Sequence, residues 1–88
     1  MATIVARHKV GDFATWLKGH EERARLLAPA ISSFQTFQDT DDPNSIVLVG
    51  EVKDMGKLDE IMNSKESLEA QDRHTVLRPI IVSMQVPI

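Results

Sequence analysis

The chain has 88 residues, with ten lysines and arginines against thirteen aspartates and glutamates, a net charge of −3, and no cysteine. That length accommodates one domain over residues 1–88, disulfides and thiolate metal sites are excluded, and the acidic balance argues against a nucleic-acid binder, which needs a basic stripe. The apolar runs fall far short of the roughly 18 residues of a membrane span, and no basic stretch precedes the first apolar residues, so a soluble, cytoplasmic domain is expected.

Ala2–Lys9 is rich in β-branched residues and stops at Val10-Gly11, which predicts a first strand. Asp12 is placed to cap a helix by accepting first-turn N–H groups. Over Phe13–Leu27 the residues Phe13, Trp16, Leu17, His20, Ala24 and Leu27 share one helical stripe. Glu21, Glu22, Arg23 and Arg25 fall mostly away from it, and Pro29 ends the run. Ile31–Gln38 and Ser45–Val52 are β-like and flank the turn cluster Asp39–Ser45, in which Asp42 and Pro43 fit positions i and i+1 of a type I turn. A hairpin follows from that pattern. Asp54 is a second cap, ahead of a short apolar face of Leu58, Ile61 and Met62. Ser64 is a third, opening a piece from Lys65 to about Thr75 that buries Leu68 and one of Gln71 or Thr75. Pro79 closes that region. Pro79–Val86 alternates Ile80, Val82, Met84 and Val86 with Ile81, Ser83 and Gln85, the period of a fourth strand.

The order β-α-β-β-α-β predicts an α+β, ferredoxin-like fold, with both helical regions on one face of a four-stranded antiparallel sheet. Ile46, Leu48 and Val52 lie on one side of the third strand and Val47 and Val49 on the other, so both sides are substantially apolar. Two helical regions cover only one face. A homodimer packed sheet against sheet is therefore expected.

The spacing Val10-x-Asp12-Phe13-x-x-Trp16 leading into His20 is the first of two motifs. The second is Phe34-Gln35-x-Phe37-x-Asp39-x-Asp41-Asp42-Pro43-Asn44 ahead of an apolar strand. Together they resemble the dimeric α/β-barrel superfamily, in particular its small antibiotic-biosynthesis-monooxygenase-like and cyclase-like members. Val52-x-Asp54-Met55 and Asn63-Ser64-x-Glu66-x-Leu68 extend the likeness over nearly the whole chain. The resemblance implies a homodimer whose two sheets close an α/β barrel. It also implies a pocket in each subunit, between helices and sheet, for a small aromatic or polyketide-like ligand. Activities in that superfamily include cofactor-independent monooxygenation, cyclisation, isomerisation and haem degradation, and fold does not select among them. The chain has no tyrosine, which removes a cyclase mechanism built on a Tyr–His pair. Haem degraders of the superfamily use an Asn–Trp–His set; here Trp16 lies on the first helix, His8 stands where an Asn is expected, and only His74 matches an axial position.

The candidate chemistry rests on the three histidines, whose ordinary pKa suits proton transfer near neutrality. His20 shares the helical stripe with Trp16 and is a candidate catalytic group. His8 is another, provided its strand face points toward the helices, which a one-residue register choice decides. Trp16 and Phe13 are candidate walls for a flat ligand, and His74 is a candidate ligand contact. No histidine pair has the local spacing of a metal site, the four glycines stand apart, and no nucleophile elbow is present, so neither metal nor cofactor is expected. An open cavity of a few hundred Å³ with unpaired histidines points to an enzyme. A cavity filled by Trp16, Phe13 and Leu58, with His8 and His20 held by protein partners, points to a non-catalytic ligand-binding or dimerisation module.

Overall fold

The computed structural model describes residues 2–88. In chain order it contains β1 (Ala2–Val10), α1 (Phe13–Lys18), α2 (His20–Leu27), β2 (Ile31–Gln38), β3 (Ser45–Val52), α3 (Met55–Met62), α4 (Lys65–Arg73) and β4 (Val76–Met84). The strands form one antiparallel sheet in the order β2-β3-β1-β4, the ferredoxin-like arrangement expected from the sequence.

The local signals act as their chemistry dictates. Asp12 accepts from the Ala14 N–H at 3.1 Å and the Thr15 hydroxyl at 2.9 Å. Asp54 accepts from the Lys57 N–H at 2.9 Å, and the Ser64 hydroxyl accepts from the Ser67 N–H at 3.1 Å. The Ser45 N–H donates to the Asp42 carbonyl at 3.0 Å, which closes the hairpin turn with Pro43 at its second position.

Three expectations are corrected. The first helix is not continuous over Phe13–Leu27 but breaks at Gly19, where the His74 imidazole packs so closely that a Cβ would meet its atoms at 2.5–2.6 Å. Its inward stripe shifts accordingly: Leu17 is 50 % exposed, whereas Arg23 turns in. Next, α4 ends at Arg73 and buries the small residues Ser67 and Ala70, leaving Leu68 exposed. Finally, the fourth strand starts at Val76, not at Pro79. Thr75, at φ 62°, turns the chain sharply out of α4. Its hydroxyl accepts from the Asp12 N–H at 3.0 Å and donates to the Asp12 carbonyl at 3.1 Å, and its own carbonyl accepts from the Gly11 N–H at 2.8 Å. Those bonds offset a left-handed β-branched backbone that costs about 1–3 kcal/mol. Pro79 is tolerated inside the strand because β4 is an edge strand. The register also slips around it, setting Arg78, Pro79 and Ile80 opposite His8.

The helix-facing side of β1 carries Ile4, Ala6, His8 and Val10, which resolves the direction of His8. The core divides in two. One cluster joins Ile4, Ala30, Ile31, Val52 and Leu58; the other joins Val10, Trp16, Ile46 and Val76. On the opposite face Val5, Val47 and Val49 lie centrally, flanked by Phe37 and Ile81, each 49 % exposed. Among the described residues no element covers that face. The Cα envelope of 33 × 31 × 20 Å is correspondingly a plate, one sheet and one helical layer thick.

Candidate active site between helices and sheet

A cavity of about 110 Å³ lies between the two core clusters. Small residues on the helix-facing side of the central strands, Ala6 and Gly50, leave this space, and Phe34, Leu58 and Gln71 help to enclose it. Two of its lining side chains carry ionisable nitrogen: His8 from β1 and Arg23 from α2.

His8 is 7 % exposed. Its Nδ1 lies 3.0 Å from the Lys9 carbonyl oxygen, an acceptor only, so the proton sits on Nδ1 and Nε2 keeps its lone pair. Burial pulls its pKa below the usual 6.5, and the Arg23 charge adds to that effect against the opposing Lys9 hydrogen bond. The imidazole is thus a neutral base beside an apolar space.

Arg23 lies with its guanidinium carbon 4.0 Å from the centre of the Trp16 ring. Trp16 also meets the His8 ring edge-on, at 5.9 Å between centroids, so one indole buttresses both polar groups. The Arg23 Nη1 donates to His74 Nδ1 at 3.2 Å. A guanidinium can only donate, which fixes the His74 proton on Nε2, where it is donated to Glu22 at 2.7 Å. Glu22 also receives both of its oxygens' bonds from Arg73, at 2.9 and 2.8 Å. Arg73 and then His74 hold the Glu22 carboxyl below the usual carboxylate range. Burial pulls the Arg23 pKa down to about 10, which leaves it charged at neutral pH. Its Nε and Nη2 are buried and have no hydrogen-bond partner among the described residues; Trp16 Nε1 is in the same condition.

The sequence candidates are therefore distributed rather than clustered. His8 lines the cavity. His20 is exposed and does not line the cavity; it packs against Phe34, which does, with 5.4 Å between ring centroids. Trp16 is fully buried behind His8 and Arg23, with Phe13 against it at 6.0 Å. His74 is 6 % exposed with both ring nitrogens engaged, beneath Gly19. Sequence reasoning missed Arg23, although Trp16, His20, Arg23 and Leu27 follow one another at helical spacings of four, three and four. Among the described residues no group of three His, Asp or Glu side chains is arranged to hold a metal ion.

The fold recurs in solved structures. An antibiotic biosynthesis monooxygenase superposes with a TM-score of 0.73 at 16% identity, over 100% of this chain and 99% of that one. SnoaB, a cofactor-independent oxygenase from Streptomyces nogalater, superposes with a TM-score of 0.74 at 16% identity, over 99% of this chain and 92% of that one. The chain thus has the fold of the antibiotic-biosynthesis-monooxygenase-like proteins. At such identity the likeness speaks for the fold alone. No protein-family model matches the chain, and no curated protein matches it.

Proposed function

We propose that the chain acts as a homodimer on a small aromatic or enolisable molecule held between helices and sheet. The chemistry is a cofactor-independent oxygenation or a related isomerisation, begun by proton transfer to His8. The observation that carries this reading is a neutral, buried imidazole with a free Nε2 lone pair lining an apolar cavity beside a fixed positive charge. The likeness to a cofactor-independent oxygenase supports the reaction class. Trp16 and Phe13 serve as the backing of the wall, His74 as a positioning residue, and His20 as a second proton-transfer group beside Phe34. The location we assign is cytoplasmic; among the described residues no helix is long and apolar enough to cross a membrane.

The dimer supplies cover for the outer sheet face. A plate face of 33 by 31 Å offers more than the roughly 800 Å² per partner of a standard interface. A two-fold operation presents the same Val5, Val47 and Val49 patch from both sides.

The test is oxygen uptake with a panel of mono- and bicyclic phenols in the absence of flavin, nicotinamide or metal. Uptake is expected with at least one member, with a loss of 100-fold or more in His8→Phe, in the range general-base removal produces. His20→Ala is expected to lose less. Binding without uptake would move the protein to the alternative reading, a non-catalytic ligand module, which the cavity's modest 110 Å³ favours.

A further inference from the structure

Besides His8, the sheet carries four ionisable side chains: Arg7 and Lys9 on β1, Glu51 on β3 and Arg78 on β4. Two of them are engaged within the chain. Lys9 is bound to Asp42, and Arg78 donates to Gln71 and Asp72 of α4. Arg7 is different. It is exposed on the outer face, its cross-strand neighbours are Val47 and Ile81, and it makes no hydrogen bond or ion pair among the described residues. Glu51 is half-buried on the same face and accepts from the Thr3 hydroxyl at 2.6 Å, but it has no cationic partner among the described residues. A second sheet laid over this face withdraws both charges from water, which is unfavourable unless each meets an opposite charge there.

Their placement shows how that can happen. Val5 and Val49 face each other across β1 and β3. Arg7 lies two residues beyond Val5 and Glu51 two residues beyond Val49, so all four share the outer face. Because the two strands are antiparallel, the charges stand on opposite sides of the valine pair. A two-fold axis passing over the valines and across the strands turns the Arg7 end of one sheet onto the Glu51 end of the other, twice per dimer. An axis along the strands instead leaves like facing like, Arg7 near Arg7 and Glu51 near Glu51.

We infer that Arg7 of each copy pairs with Glu51 of the partner subunit, and that this reciprocal ion pair sets the orientation in which the two sheets pack. The inference rests on the proposed dimer and deepens it by naming the contacts that choose among its packings. The valines supply apolar area without direction, since they match one another in either orientation. The charges supply direction. An arginine suits the position: its planar fork bonds a carboxylate, and its apolar stem is compatible with the Val47 and Ile81 neighbours. The Thr3 bond engages one Glu51 oxygen and leaves the other for the guanidinium.

Sedimentation equilibrium of the full-length chain tests it, by comparing the dimer Kd of the wild type with those of Arg7→Glu, Glu51→Arg and the double variant. Each single reversal sets like charges together at two places per dimer, so its Kd is expected to rise roughly 100-fold or more. The double variant exchanges the two charges and is expected to recover most of that loss. An equimolar mixture of the two single variants is expected to recover it as well, because its heterodimer meets each reversed charge with an opposite one. Single reversals that leave Kd at the wild-type value overturn the inference while the dimer stands. A double variant and a mixture both as weak as the single variants overturn it too. A wild-type chain that stays monomeric removes the dimer and the inference together. Both substitutions lie on the outer face, away from the two core clusters, and far-ultraviolet circular dichroism checks that each variant folds. Where a reversal fails to fold, Arg7→Gln and Glu51→Gln replace it: a roughly tenfold or greater rise in Kd is expected from each, and no change in either overturns the pair.

Discussion

His8 shows how one residue couples chemistry to folding. Its pKa is lowered from 6.5 on folding, chiefly by burial, so at mildly acidic pH the unfolded chain holds a proton that the folded chain resists. The contribution is complete above about pH 6.5 and is lost as the pH falls toward the folded value. Urea unfolding between about pH 5 and 7 should therefore show stability declining on acidification. His8→Gln is expected to flatten that decline, and an unchanged slope would assign it to other groups. Ala6, on the same strand face, gives a second residue-scale prediction. Ala6→Leu fills part of the cavity, so 4-nitroanisole binding should be lost. The melting free energy should change by no more than about 1–3 kcal/mol, the range of small-to-large core substitutions. Retained binding would put the ligand elsewhere. At this scale the sequence was least informative. It exposed the histidines by their chemistry, but it set Arg23 mostly away from the helical stripe, on the side where a charged residue is ordinarily solvated. An arginine with an aromatic ring beneath it and a histidine beside it is compatible with burial, and that company is visible only in three dimensions.

At the scale of elements, two backbone positions set the site. Gly19 lets the His74 ring approach the helix break, where a methyl group would displace it. Gly19→Ala is expected to destabilise the fold by about 1–3 kcal/mol and to shift the His74 ring resonances as its bonds to Glu22 and Arg23 are disturbed. A variant with wild-type stability and spectrum would show that the contact relaxes freely. Thr75 joins the end of α4 to the start of α1 by its two side-chain bonds to Asp12. Thr75→Val removes both and should cost about 1–3 kcal/mol in chemical denaturation. Most element boundaries could be read from the chain because short-range chemistry fixes them: Asp12, Asp54 and Ser64 cap, and Asp42-Pro43 turns. The misplaced ones, the break at Gly19 and the start of β4 at Val76, depend on residues more than fifty positions apart in sequence, such as Gly19 against His74 and Asp12 against Thr75. Local pattern cannot contain them.

For the whole molecule, the decisive property is the uncovered sheet face. Its accessible surface of 5735 Å² exceeds the roughly 5,200 Å² expected of a folded monomer of this mass, in line with a plate that carries an unpaired side. Sedimentation at micromolar concentration is expected to give a dimer. Val49→Lys, which places a charge at the centre of that face between Val5 and Gln35, should shift it to monomer. A wild-type chain that stays monomeric would refute the barrel. The third strand, apolar on both sides rather than alternating, made this property legible from the sequence, since the two helical regions can cover only one of those sides.

One further consequence follows from where the single indole sits. Trp16 touches the His8 imidazole on one side and the Arg23 guanidinium on the other, and the sequence contains no second tryptophan and no tyrosine. Its emission therefore comes from a single, known location. Protonation of His8 alters the field at that chromophore, so the unlabelled protein carries its own optical sensor for the charge of that imidazole.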